Sequence, residues 1–410
     1  MGTNWRFAWR NIWRNKRRTI LTMCAIGFGA SLIVFSVGLQ LGQYDLMISG
    51  STRIYQGLVQ VQKKGYLDEA RMRNSIPDAQ ILGTKIRKQT GIKDIAVRAN
   101  GFALVSSEER TYGVAVIGVE TQHEGNVSII PGLVKEGRYL SADDANEIVI
   151  GRSLAKNLKI KLGDELTIIG SGRDGSIAAT ILPVVGIFES GSRELDRSMV
   201  QIPISNFQDV FTMEKHAHAI VIYHENANLV EPLKAQLQEL LNPLQKDLVA
   251  LGWDQIQPGI KETIELDYSS GWFMYIVLVA IITFSIMNTF LMSVLERTRE
   301  FGIMLALGYK PLNIGKLVMM EALILTIFAL IIGTSIGVAV NYYFLVNGLS
   351  FEGMEELAAQ YNMPSTITPQ ISLESSLLGP AVILVFTLFA ALYPAMKIRK
   401  LEPVEAMRHI

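Results

Sequence analysis

One cysteine, Cys24, is all the thiol chemistry this 410-residue chain possesses, so no disulfide can form within it. Charge is missing from four long stretches: residues 19–42, 268–295, 322–345 and 375–396 contain no Asp, Glu, Lys or Arg. Each exceeds the roughly 20 residues that a helix needs to cross about 30 Å of hydrocarbon. Acids are missing from residues 1–18, which carry Arg6, Arg10, Arg14, Lys16, Arg17 and Arg18. Bases are missing between the third and fourth stretches, where the charges are Glu352, Glu355, Glu356 and Glu374. The pattern G-x-x-x-x-G-K-[ST] is missing as well. The one Gly-Lys pair, Gly315 and Lys316, is followed by Leu317 and has Lys310 where the first glycine belongs. ATP hydrolysis by P-loop chemistry is therefore excluded for these residues. Net charge is zero, so the balance of charge gives no reason to expect nucleic acid.

What is present is apolar: 49% of residues are hydrophobic and mean hydropathy is +0.28. Basic residues cluster at Arg297, Arg299, Lys310 and Lys316, and again at Lys397, Arg399, Lys400 and Arg408. The positive-inside rule then places both termini and the short middle loop in the cytoplasm, with residues 43–267 and the acidic loop outside. The first stretch is too long for a signal peptide and no small-x-small cleavage site ends it, so it reads as an anchor. The expected fold is a membrane protein of four transmembrane α-helices, with a large α+β extracytoplasmic domain inserted between helices 1 and 2. Its layout is a basic leading helix at 1–18, spans at 19–42, 268–295, 317–345 and 375–396, and the outer domain at 43–267. A cytoplasmic loop at 296–316, an outer loop at 346–374 and a cytoplasmic tail at 397–410 complete it. An outer domain free of disulfides fits a bacterial envelope protein.

The outer domain mixes both periodicities. Residues 58–62 alternate like a half-buried strand, and 78–89 read as an amphipathic helix. A short strand at 147–151 precedes a helix that Ser153 is placed to cap. Gly163 and Asp164 make a turn before a strand at 165–169, and 171–176 form a hairpin tip. Further strands are expected near 180–188, 198–204 and 217–223, with helices at 205–211 and 228–241. The expected arrangement is two α+β lobes, one inserted in the other at about 130–205. Catalytic candidates are thin. His216 and His218 share a strand face, with His224 at its end, but no Cys or carboxylate cluster joins them, and a half-exposed strand explains them. Gly151, Arg152 and Ser153 lack the second glycine of a nucleophile elbow. His123 and Glu124 lack the second histidine of a zinc-peptidase helix. No catalytic and no metal role is assigned.

Within the spans, Ser285, Asn288, Thr289 and Ser293 lie three and four apart on one face of the second. Such a seam lines a partner interface or substrate path, or makes hydrogen bonds inside one bundle. Gly333 and Gly337 form a small-xxx-small pair, and Gly27, Gly29 and Ala30 allow similar close approach, between subunits or within one. Glu321 is shallow enough to snorkel or to pair with Lys316 or Arg297.

The cytoplasmic loop holds the most specific pattern. Met287, Asn288, Thr289 and Phe290 precede a charged turn, Glu296, Arg297, Arg299 and Glu300. Phe301, Ile303, Met304, Leu305 and Leu307 follow, and Gly308 and Pro311 end the piece. A short helix with both charge signs and an apolar face suits docking in a cleft of a soluble protein. This segment resembles the loop after the second helix in permeases of the MacB/FtsX/LolC-type ABC transporter superfamily. The basic run from Trp9 to Thr19, the outer-domain pieces at 136–140, 147–151 and 162–164, and the tail pieces at 393–395 and 403–408 resemble the same superfamily in the same order.

That resemblance implies a half-transporter permease working as a dimer, with a second copy or a paralogue, on separate cytoplasmic ATPase subunits that bind ATP and Mg. Carried across, Glu296, Arg297, Arg299, Glu300, Phe301, Gly302, Leu305 and Gly308 contact the ATPase. The first two spans continue outward as stalks and transmit ATP-driven closure to the outer domains, a mode called mechanotransmission. The implied cargo is a lipoprotein or another hydrophobic envelope substrate, with a periplasmic adaptor or lipoprotein as partner, at the bacterial inner membrane among its lipids. The resemblance equally accommodates an FtsX-like signalling subunit that switches a periplasmic hydrolase or sensor without transport.

Overall fold

The computed structural model describes residues 2–350 and 366–398, with side chains from Phe7 onward. Glu352, Glu355 and Glu356 of the acidic loop, and Arg399, Lys400 and the 403–408 piece of the tail, lie outside the described residues. The chain divides into two compact units: 2–44, 264–350 and 366–398 among the described residues, and 45–263.

The helical unit opens with α1 (Gly2–Ile12) and, after a 3₁₀ turn at Trp13–Asn15, α2 (Lys16–Ser51). The outer unit follows with β1 (Val59–Lys63), α3 (Ala79–Thr90), β2 (Ile95–Ser106), β3 (Thr111–Val119) and α4 (Thr121–Val127). Next come β4 (Val134–Gly137), β5 (Ile148–Gly151), α5 (Arg152–Leu158), β6 (Glu165–Ser171) and β7 (Ile177–Phe188). It closes with α6 (Arg193–Ser198), β8 (Met199–Pro203), α7 (Ile204–Val210), β9 (Ala219–Ile222), α8 (Val230–Leu241), β10 (Leu248–Gly252) and α9 (Trp253–Ile256). The remaining helices are α10 (Pro258–Glu296), α11 (Thr298–Ala306), α12 (Pro311–Asn347) and α13 (Leu373–Lys397).

Four of these helices are long and apolar enough to cross a membrane: Phe7–Gln56, Pro258–Glu296, Pro311–Asn347 and Leu373–Lys397. Their ends obey ordinary capping chemistry. Pro311 sits in the first turn of α12, where its missing N–H costs nothing, and Ser372 caps α13 through the Ser375 amide. α2 and α12 cross at glycines: a Cβ on Gly333 would meet the Gly27 carbonyl oxygen at 2.3 Å and its Cα at 2.7 Å. Gly337 lies against Val34 and the Ser31 carbonyl, and Gly29 against the Ile282 side chain, so these glycines make close contacts within one chain. Ile26, Ala30 and Ile33 of α2, Ile286 and Phe290 of α10, Ala322 and Ala329 of α12, and Ile383 and Ala391 of α13 fill the bundle core.

The outer unit is built on one ten-stranded sheet, ordered β10-β1-β9-β2-β3-β8-β5-β7-β4, with β6 pairing β2 and β7. β3–β8 and β5–β7 are parallel and the other pairs antiparallel. Residues 130–205, expected as an inserted lobe, supply β4 to β8 to this same sheet. One core cluster joins Leu154, Leu166 and Ile187 from that segment with Leu58, Ile76 and Leu237 from outside it. Each such buried aliphatic side chain stabilises by roughly 1.5–3 kcal/mol. The β2–β3 hairpin and strands β4 and β10 go beyond what the sequence pattern predicts. Ser153 is not a helix cap. The N-cap is Gly151, and its missing side chain admits the Asp196 carbonyl oxygen of α6, which a Cβ there would meet at 2.2 Å.

Candidate functional site

Helix α10 ends at a break rather than a loop. Arg297, at φ −104 and ψ 13, interrupts the helical bonds, and α11 starts at the next residue. α11 stops in an αL glycine, Gly308 at φ +89, with the Tyr309 amide donating to the Met304 carbonyl at 3.0 Å. Phe301 is fully buried among Val294, Ile314, Val318 and Ile398 and anchors the short helix. The Arg297 guanidinium stacks on the Phe301 ring at 5.0 Å and donates to both carboxylate oxygens of Glu321, at 3.1 and 2.9 Å. Asn11 donates to the same carboxylate at 2.7 Å.

Two further arginines tie the leading segment to this turn. Arg14 donates to both oxygens of Glu300, at 3.1 and 2.7 Å, and Arg297 adds a third bond at 3.3 Å. The hydrogen bond from Arg14 holds the Glu300 carboxyl below its ordinary range against the opposing effect of burial, with Arg297 assisting. Arg18 donates to Glu296 at 2.5 Å and to Ser293 at 2.8 Å. Arg14, Arg18, Ser293, Glu296 and Arg297 line a polar cavity of about 220 Å³ with Thr19, Thr22 and Thr289.

The expected coupling residues divide by exposure. Glu296, Arg299, Glu300 and Gly308 face solvent, Arg297 and Leu305 are half-buried, and Phe301 and Gly302 are buried. Phe301 and Gly302 lie on the inward side of α11, and Phe301 seats the helix against Val294 and Val318. The outward stripe is Arg299, Ile303 and Leu307, four residues apart, with Leu307 76% exposed. That i, i+4 spacing was available in the sequence. The partnership of Asn11, Arg14 and Arg18 with Glu321, Glu300 and Glu296 was not, because it joins residues 310, 286 and 278 positions apart.

In the second long helix, Ser285 and Asn288 are exposed, Thr289 bonds back to the Ser285 carbonyl at 2.9 Å, and Ser293 is buried under Arg18. Only 17% of this helix's apolar window is buried, compared with 39% for each of the other three. α10 is thus the helix least covered by its own chain. It shares with α2 and α13 an apolar cavity of about 280 Å³, lined by Val37, Trp272, Tyr275, Val279 and Phe386.

In the outer unit His218 is fully buried rather than half-exposed. Its Nδ1 accepts from the Asn100 amide at 2.9 Å, its ring stacks on Tyr66 at 5.0 Å, and burial pushes its pKa down to about 4. His224 accepts from the Asn226 amide at 3.0 Å. Among the described residues, no three His, Cys, Asp or Glu side chains come together as a metal site. One solvent face of the sheet is apolar: Phe102 and Leu104 on β2, Ile169 opposite Leu104 on β6, and Ile177 and Ile181 on β7.

Two family models cover this architecture. The MacB-like periplasmic core domain matches residues 19–240, over half the chain, and the FtsX-like permease C-terminal domain matches 272–403. The chain belongs to the FtsX-like ABC transporter permeases that carry a MacB-like periplasmic core domain. This permease is 24% identical over 337 residues to the lipoprotein-releasing system transmembrane protein LolE of Haemophilus influenzae, covering 80% of each chain. It is 24% identical to the uncharacterized ABC transporter permease YknZ of Bacillus subtilis, covering 99% of this chain and 98% of that one. The macrolide export ATP-binding/permease protein MacB of Bdellovibrio bacteriovorus is 24% identical over 96% of this permease, which spans 60% of that protein's length.

Proposed function

We propose that this permease couples ATP hydrolysis in a separate cytoplasmic ATPase to movement of its outer domain, and so extracts or exports a lipoprotein or other hydrophobic envelope substrate. The observation that carries this reading is the α10–α11 turn. A seated helix offers Arg299, Ile303 and Leu307 outward from a base held by Arg297, Glu321, Arg14 and Arg18. A short rigid helix with exposed aliphatic anchors and a cation fits a cleft in a soluble subunit.

In this reading the four long helices cross the inner membrane, the outer domain lies in the periplasm between the first and second, and both termini are cytoplasmic. ATP and Mg bind the partner ATPase. A second copy or a paralogue covers α10, where Ser285 and Asn288 leave polar groups that lipid cannot satisfy. The apolar sheet face of Phe102, Leu104, Ile169, Ile177 and Ile181 supports a periplasmic partner, adaptor or lipoprotein, since exposed apolar patches of this kind mark interaction surfaces. Lipoprotein release by the LolE system and macrolide export by MacB are the cargo precedents among its relatives.

The test is the pair Arg299→Ala and Leu307→Ala, reconstituted with the ATPase. Both side chains are exposed, so thermal stability should stay within about 0.5 kcal/mol of the parent. ATPase stimulation should fall about tenfold or more, as for loss of an interface anchor. Full stimulation in a variant with unchanged melting would remove the coupling assignment.

A further inference from the structure

The outer end of α2 does not fray into a loop. Its last turn widens to π geometry at Thr52–Gln56, closed by the Gly57 amide donating to the Thr52 carbonyl at 2.7 Å. Gly57 then turns the chain at φ +71, where a Cβ would lie 2.3 Å from Val221. A helix end leaves its final carbonyls without intrahelical partners. Here four successive ones are each taken by a named donor. The Ile129 amide donates to Arg53 O at 3.1 Å, the Ser128 hydroxyl to Ile54 O at 2.7 Å, the Arg98 guanidinium to Tyr55 O, and the Gln60 amide to Gln56 O at 2.6 Å.

The central donor is unusual for where it sits. Arg98 is 1% exposed on β2, and its other two nitrogens form a fork onto Glu124 of α4, itself fully buried, at 3.0 and 2.6 Å. Burial opposes the guanidinium charge, and the facing carboxylate more than offsets it, so the Arg98 pKa lies above its usual value. The Tyr55 ring stacks on the same guanidinium at 4.4 Å, and its hydroxyl donates to Asn100 at 3.0 Å. A cation at the negative end of a helix is favourable anywhere, but desolvating it with its counter-ion is costly unless the geometry is well satisfied. A plain surface helix end needs none of this.

We infer that Arg98, Glu124, Ser128 and Gln60 form a rigid joint that fixes the end of α2 to the sheet, so that displacement of this helix passes to the outer domain without being absorbed at the junction. They are positioning residues. The inference rests on the coupling reading above for its purpose and stands apart from it in its test.

The variant is Arg98→Met with Glu124→Leu in the full chain, since exchanging a buried pair for apolar groups of similar size preserves folding while the Tyr55 carbonyl loses its donor. Spin labels are placed at Gly50→Cys, where a Cβ meets nothing within 4 Å, and at exposed Lys88→Cys, in a Cys24→Ser background. The parent should give one narrow distance distribution. The double variant, with its melting unchanged, should give a distribution about twofold broader and lose about tenfold of amide protection at residues 52–57, while β1 and β10 stay protected. A narrow distribution and retained protection in the folded double variant would overturn the joint. Inter-copy distances from Lys88→Cys, taken with and without ATP in the assembled complex, test the coupling reading separately. A parent that does not respond to ATP refutes that reading, while the joint stands or falls on the distribution widths alone.

Discussion

The two ends of helix α2 are held by opposite kinds of chemistry. At the start, Arg14 pairs with Glu300 and Arg18 with Glu296 through partly exposed side chains, 56% and 46% exposed in the first pair and 28% and 47% in the second. At the finish, Arg98 and Glu124 meet at 1% and 0% exposure, and every one of the last four carbonyls is capped. Exposed pairs are worth about 0–1 kcal/mol and are screened by salt, whereas a buried pair is expensive to break. The first kind is loose and exchanges with solvent and salt, and the second kind holds.

That contrast can be broken most forcefully at Glu124. Glu124→Gln leaves the Arg98 charge buried without its counter-ion and should cost about 3–5 kcal/mol of outer-domain stability. Thermal or urea unfolding of the full chain, followed by near-ultraviolet signals from the domain, reads it directly. A loss below about 1 kcal/mol, the range of an exposed pair, would mean that the held end is no firmer than the loose one.

Acid should destabilise the outer domain that carries the held end. His218 accepts the Asn100 amide and is kept neutral by burial, the largest cause, with its pKa near 4 rather than 6.5. The unfolded chain binds a proton below about pH 6.5 while the folded domain does not, so stability rises with pH across this window. It is complete above about pH 6.5 and is lost as pH falls toward about 4, by about 3 kcal/mol at most. A stability profile flat between about pH 7 and about pH 4.5, or one unchanged by His218→Gln, would refute this. Glu300, whose pKa is held down chiefly by Arg14, keeps its pair over most of that range.

The smallest effect sharpens the other side. Arg14→Gln should change stability by about 0–1 kcal/mol, and the difference from the parent should vanish in high salt. Melting measured at low and high ionic strength checks it. A large, salt-independent loss would show that the loose end is fixed after all.

Much of the helical unit was legible because lipid imposes a rule that sequence must obey everywhere along a span. Charge-free stretches had to be helices, and the end of the short helix α11 followed from Gly308 and Pro311. The outer sheet was only partly legible. β2 escaped notice because its two faces give contradictory signals: the charged Arg98 is buried, while the apolar Phe102 and Leu104 are exposed. Period-two reading assumes the reverse. The α11 docking stripe was half legible. Both Phe301 and Leu307 are apolar on a short helix, and only packing against Val294 and Ile314 decides which of them faces inward. The Arg98–Glu124 pair joins a strand to a helix 26 residues on, a separation that no local periodicity reports.

The outer sheet has its first and last strands as neighbours. β1 and β10 pair antiparallel over five residues, from Val59 opposite Gly252 to Lys63 opposite Leu248. The chain therefore arrives and departs at one edge region, and the whole domain closes on itself like a purse with its strings tied. The sheet's own bonds bring the two ends of that long insertion together. Such a domain can be lengthened, trimmed or exchanged for another with the same two neighbouring ends, while the helical bundle retains its sequence and its packing.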